Sequence, residues 1–271
     1  MLRVLVMVAA MLVAALPAWA QKVLPASAVV TENLGFDARD DGLRLALRNK
    51  HPEDYYAPTP ERTVLFLHGA TFPGIATFDL PIDGMSWMDY LARRGYDVYA
   101  LDIRGYGASS RPPEMAQPPE GKAPLVDATA ALRDVSKTVE YILSRRGIDQ
   151  LTIVGWSWGA TLAGSYAAST SNRIHKLVLY APSWISDEPA APDVLAGLGA
   201  WRSVPLLAVT ERWGHNLPEK ERQDLVSGEA KKAWVAALAA ASGGEALLKV
   251  PNGAVADSLR TWGAGKPAWR P

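Results

Sequence analysis

Cysteine is absent from all 271 residues. That excludes a disulfide framework, a lipid attached at a leader cysteine and a thiolate metal site, so stability rests on a buried core. Histidine is nearly as scarce. The four, His51, His68, His175 and His215, are too scattered for metal-ligand spacing, and neither a metal nor a cofactor is expected. Net charge is missing too: 28 Lys and Arg balance 28 Asp and Glu, without the basic surplus that nucleic-acid binding requires. Long apolar runs are confined to the N-terminus. Arg3, the run Val4 to Leu16, Pro17 and the small-x-small triplet Ala18-Trp19-Ala20 form the pattern of a secretory leader cleaved after Ala20. A membrane anchor is the competing reading, but the run is short for a span. The mature chain would then begin near Gln21 in a periplasmic or extracellular space, with no membrane attachment.

What the chain does have is glycine, 22 of them, and ten tryptophans. Its length suits one domain with a large core and an inserted subdomain. Gly42 to Arg48 alternates as an early strand, and Thr63 to Leu67 is an apolar run that suits a strand buried on both faces. Trp87 to Arg94 has helical period and stops at Gly95; Asp97 to Leu101 is again strand-like. Arg111 to Pro124 is a proline-rich loop, and Val126 to Arg145 an amphipathic helix closed by Gly147. Strands are then expected at Leu151 to Val154 and Lys176 to Tyr180. Alternating strands and helices predict an α/β fold with a mostly parallel central sheet and helices on both faces. His68 to Ala70, Asp102 to Gly107, Ser157 and Ala181 to Trp184 all follow strand ends, so they converge on the rim where such sheets bind ligands.

One motif on that rim carries chemistry. Gly155-Trp156-Ser157-Trp158-Gly159 lies between a strand and a small-residue helix, the setting of a G-x-S-x-G elbow. Gly155 and Gly159 remove side chains that would collide beside a strained serine, and the helix N-terminus favours negative charge there. The Trp158 N–H is placed to serve as one oxyanion donor.

Taken in order, His68-Gly69-Ala70, Asp102-x-Arg104-Gly105-x-Gly107-x-Ser109 and Gly155-x-Ser157-x-Gly159 resemble the α/β-hydrolase family. The resemblance covers roughly residues 40–185, and the later segment more loosely. It implies domains of 1–20 (leader), 21–183 (N-terminal part of the hydrolase core) and 184–271 (a helical cap and the approach to C-terminal core strands that the sequence lacks). It implies Ser157 as nucleophile, Ala70 N–H as the second oxyanion donor, and His68, Gly69, Gly155 and Gly159 as supports of the site. Asp102 and Arg104 would hold a structural turn. The expected activity is a secreted serine hydrolase that cleaves a small-molecule ester or amide through an acyl-enzyme, an aminopeptidase being included. An aspartate in place of Ser157 would have pointed to epoxide or haloalkane chemistry.

The acid and the base are less well marked. Asp187 and His215 are the candidates, while His175 falls in a loop at the far end of the sheet. A second arrangement makes Val204 to Val209 the next strand, with Glu211 as acid beside His215. The alternative function is a non-catalytic hydrolase-like binding protein, or an inactive fragment lacking the triad acid and histidine. Trp156, Trp158, Trp184, Trp201 and Trp213 are expected either to line an apolar pocket or to pack between cap and sheet.

Overall fold

The computed structural model describes residues 23–25, 28–55, 57–182, 195, 197–211, 213, 214 and 216–263. Six strands form one sheet: β1 (Val29–Asp37), β2 (Arg44–Pro52), β3 (Thr63–Leu67), β4 (Asp97–Asp102), β5 (Leu151–Trp156) and β6 (Ile174–Tyr180). Their order is β1-β2-β4-β3-β5-β6, and β2 alone runs against the rest, as the antiparallel β1–β2 and β2–β4 pairings require. The predicted α/β architecture with a mostly parallel sheet is therefore the observed one. β3 and β4 are buried along their whole length, which fits the apolar runs Val64 to Leu67 and Val98 to Leu101 within them.

Helices cover both faces. On one side lie α1 (Gly74–Phe78) and α2 (Trp87–Ala92), where Phe66, Phe78, Met88 and Val98 pack together. α2 starts where Ser86 and Asp89 form a reciprocal capping box. On the other side lie α3 (Ala128–Arg146) and α4 (Trp158–Ser169), packed through Val135, Ile142, Leu162 and Tyr166. Asp127 caps the start of α3, and Gly147 ends it in the left-handed region at φ 64°, the stop the sequence predicts.

The segment after Pro182 differs from its sequence pattern. A helical cap is expected there; the structure adds a two-stranded antiparallel ribbon, β7 (Trp201–Pro205) with β8 (Leu247–Pro251), around helices α5 (Glu219–Leu225) and α6 (Gly228–Ala241). Val204 to Val209 is not a further strand of the main sheet. Its first two residues end β7, and Leu206–Val209 is a 3-10 turn. The tail around Asp257, expected to approach a new strand, is helix α7 (Gly253–Gly263). The ribbon is sewn to the loop before α3: Leu125 N–H and Asn252 N–H both donate to the Ala200 carbonyl, and Gly253 N–H to that of Leu125. β6 forms the sheet's edge among the described residues, with Val178 46% and Tyr180 57% exposed.

Candidate active site

Ser157 stands at the turn from β5 into α4, with φ 55° and ψ −122°. A non-glycine residue in that region is strained, and the neighbouring structure has to enforce it. The enforcement is visible. The Ser157 N–H donates to the Tyr180 carbonyl at 3.0 Å, which continues the β5–β6 ladder into the turn. A methyl group on Gly155 would strike the Gly159 carbonyl, and one on Gly159 would lie 2.6 Å from the His68 carbonyl. Only glycine lets α4 approach β3 and β5 this closely.

Gly69 lies against the same serine, since a β-carbon built on it would sit 3.2 Å from Ser157 Cβ and 3.6 Å from Oγ. The loop after β3 therefore meets the β5–α4 turn, as their neighbouring places in the sheet require. His68 is wholly buried under this loop. Its Nδ1 lies 2.7 Å from the Gly69 carbonyl, and its Nε2 accepts the Ile103 N–H at 3.2 Å. That pattern fits the neutral tautomer with hydrogen on Nδ1. Burial pulls the imidazole down to about 4, so it is neutral at physiological pH. The ring holds the Gly69–Ala70 peptide through the Gly69 carbonyl.

Ala70 is fixed from its carbonyl side, which accepts Tyr106 Oη–H at 3.0 Å and an Arg202 N–H at 3.0 Å. Trp158 is 1% exposed, and its indole N–H donates to Asp257 Oδ2 at 3.2 Å. The same carboxylate oxygen accepts the Ala128 N–H, tying α7 to the starts of α3 and α4. Trp158 thus packs in the core instead of lining a pocket, and Trp156 packs on the other face of the sheet. Trp201 donates to the Gln117 carbonyl, whereas Trp213 lies at a tilt beside Trp234, their ring centroids 6.4 Å apart, and Trp234 meets Phe72 edge-on at 5.0 Å. Trp184 lies outside the described residues.

The Asp102 motif forms a knot of hydrogen bonds beside this site. Asp102 accepts N–H groups from Ile75 and Ala108 at 2.9 Å each, and burial raises its carboxyl to about 6. Arg104 grips the buried Asp134 through Nε and a terminal nitrogen, and also pairs with Asp40. Ser109 closes the loop by donating to the Asp102 carbonyl. Gly107 (φ 49°) has no room for a β-carbon against Asp102.

Asp187 and His215 lie outside the described residues. His51 contacts the Pro52 carbonyl and Glu32, far along β2. His175 belongs to β6 itself and not to the loop before it; its Nε2 is buried without a hydrogen-bond partner. No described histidine hydrogen-bonds Ser157. Among the described residues no group of three His, Asp or Glu side chains is placed to hold a metal ion.

Sequence reasoning missed Arg202 and Asp257. Their partners lie 132 and 99 residues away, and no local pattern marks either one.

A mostly parallel sheet with a strained serine at its β5–α4 turn and a glycine loop against it is the arrangement of an α/β-hydrolase type of protein. The chain belongs to the alpha/beta hydrolase fold family, whose sequence profile matches residues 62–241. It is 29% identical over 175 residues to the human (lyso)-N-acylphosphatidylethanolamine lipase, a stretch of 60% of this chain and 46% of the lipase. It is 32% identical over 143 residues to the proline iminopeptidase of Xanthomonas citri, covering 49% of this chain and 37% of that enzyme. The chain thus spans less than half the length of either relative. Among solved structures, the thioesterase domain of the curacin biosynthetic pathway shares the fold, with a TM-score of 0.50 and 19% identity over 77% of this chain and 66% of that domain.

Proposed function

We propose that this protein is a secreted serine hydrolase that cleaves a small ester or amide through an acyl-enzyme on Ser157. The observation that carries the reading is the strained backbone of Ser157, at φ 55° and ψ −122°, held at the start of a helix. Such strain is kept where the surroundings over-determine it, and here it sets the hydroxyl at the start of α4, whose first N–H groups face the oxygen of the reacting carbonyl. Trp158 N–H and Ala70 N–H then form the oxyanion hole, each supplying on the order of 3 kcal/mol of barrier lowering. His68, neutral and with both ring nitrogens engaged, orients the Ala70 peptide and takes no proton. His215 and Asp187, the candidate base and acid, lie outside the described residues. Relatives named as a lipase and an iminopeptidase support hydrolysis of ester and amide bonds as a class.

A second reading is favoured by one observation: no described histidine reaches Ser157. It makes the chain a hydrolase-like binding protein. A fluorophosphonate probe separates the two. Covalent labelling of the folded 271-residue chain at Ser157, lost in Ser157→Ala, supports the hydrolase; a folded chain left unlabelled supports the binder.

A further inference from the structure

We infer that Arg202 is a positioning residue that locks the loop carrying the Ala70 N–H of the oxyanion hole, an inference that rests on the hydrolase reading above. Its guanidinium is a bridge with two ends. One terminal nitrogen donates to the Pro251 carbonyl at 3.0 Å and to Asn252 Oδ1 at 2.9 Å. The other donates to the Ala70 carbonyl at 3.0 Å and to Thr71 Oγ1 at 2.9 Å. The fixed fork of arginine suits this span; a lysine ammonium cannot hold both ends in one plane.

The consequence for Ala70 follows from peptide geometry. In a trans peptide the N–H and the C=O point in opposite directions, so a donor on a carbonyl fixes the direction of the N–H across the bond. His68 does this for the Gly69–Ala70 peptide by holding the Gly69 carbonyl. That alone leaves the loop free to turn at the Ala70 α-carbon. Arg202 and Tyr106 close this freedom by gripping the next carbonyl from two sides. Both peptide planes that flank Ala70 are then locked before substrate arrives, which is what preorganised oxyanion stabilisation needs.

The charge points the same way. All four acceptors of Arg202 are neutral, so the cation is held by dipoles beside a loop where negative charge develops during acyl transfer. Burial lowers the affinity of this guanidinium for its proton, the cost of holding a cation in a poorly solvated place. A neutral side chain would avoid that cost if tethering the ribbon were the whole purpose.

The test uses saturation kinetics of fluorophosphonate labelling at Ser157 in the 271-residue chain, because phosphonylation places an oxygen in the same hole. Arg202→Met is expected to lower the limiting labelling rate by about 10- to 100-fold, somewhat less than outright loss of a donor, with little change in the half-saturating probe concentration. Arg202→Lys is expected to recover part of the rate. Tyr106→Phe, which removes the other donor to the same carbonyl, should give a smaller fall of the same kind. A wild-type chain that labels, with an unchanged limiting rate in Arg202→Met, overturns the inference and leaves the hydrolase reading standing. A wild-type chain that never labels sinks both. Should Arg202→Met fail to fold, Arg202→Lys and Tyr106→Phe carry the same comparison, and unchanged limiting rates in both overturn the inference.

Discussion

Removing the Asp134 side chain should be among the most damaging single changes to this fold. Asp134 is fully buried in α3 and accepts Arg104 Nε and a terminal nitrogen at 2.5 to 3.0 Å, as well as the Arg104 N–H at 3.1 Å. Arg104 is itself 4% exposed, so Asp134→Ala strands a buried cation. Breaking such a pair costs about 3–5 kcal/mol. Arg104 keeps its contact with Asp40 near the surface, which offsets part of the loss and sets the expectation at about 3 kcal/mol. Arg104→Met should cost a similar amount, because it leaves a carboxyl sealed from water. The pair as a whole is another matter. Burial raises the Asp134 carboxyl even with the guanidinium beside it, whereas the contacts with Asp134 and Asp40 raise Arg104's hold on its proton, so the desolvation of the carboxylate offsets part of the attraction. The double variant Arg104→Met, Asp134→Ala should therefore lose much less than the sum of the single changes, by about 2 kcal/mol or more. Urea unfolding followed by circular dichroism measures all four proteins, with the slope m expected to stay constant. A loss below about 1 kcal/mol for Asp134→Ala, or additive single losses, would refute this account.

Two buried groups should pull the pH dependence of stability in opposite directions. His68 is held near 4 against an ordinary 6.5, so the unfolded chain takes up its proton first and stability falls as pH drops from about 6.5 to about 4, by about 3 kcal/mol. Asp102 is raised from 3.8 to about 6, so the folded chain holds its proton longer and stability falls as pH rises from about 4 to about 6, by a similar amount. His68→Asn should therefore expose a negative slope between those limits, and Asp102→Asn a steeper positive one; equal slopes in both variants and the wild type would count against the assignment. At β6, the sheet's edge among the described residues, Val178→Lys should raise the soluble fraction on expression without lowering the melting temperature, since Val178 and Tyr180 are exposed there. A variant that aggregates as much as the wild type would show that this edge is not the sticky surface.

The parts of the fold that were legible in sequence are those where sterics leave little choice. β3, β4 and β5 are mostly apolar runs whose faces are covered, and Gly155, Gly159 and Gly107 mark places where a β-carbon has no room. β1 escaped notice because Thr31, Glu32 and Asn33 interrupt its apolar pattern on a half-exposed edge. The ribbon escaped for a related reason. Trp201 to Pro205 is mixed in character, while the apolar Leu206 to Val209 that follows looks more like a strand and forms a 3-10 turn. At the site, the elbow could be read because its signature lies within five consecutive residues. Arg202, Tyr106 and Asp257 act across 36 to 132 residues of sequence, and only the folded chain brings them to Ala70 and Trp158.

Those long spans have a consequence for synthesis. On the ribosome the chain emerges from its N-terminus, so Ser157 leaves the exit tunnel well before Arg202 and Asp257 do. At about 5–20 residues per second, the strand-and-helix frame has seconds in which to fold before the residues that clamp Ala70 and Trp158 exist outside the tunnel. Contacts that close loops this long are entropically the last to be rewarded. Arg202 and Asp257 are thus the last of these residues to leave the tunnel, so a nascent chain exposes Ser157 before the side chains that clamp Ala70 and Trp158 can reach them.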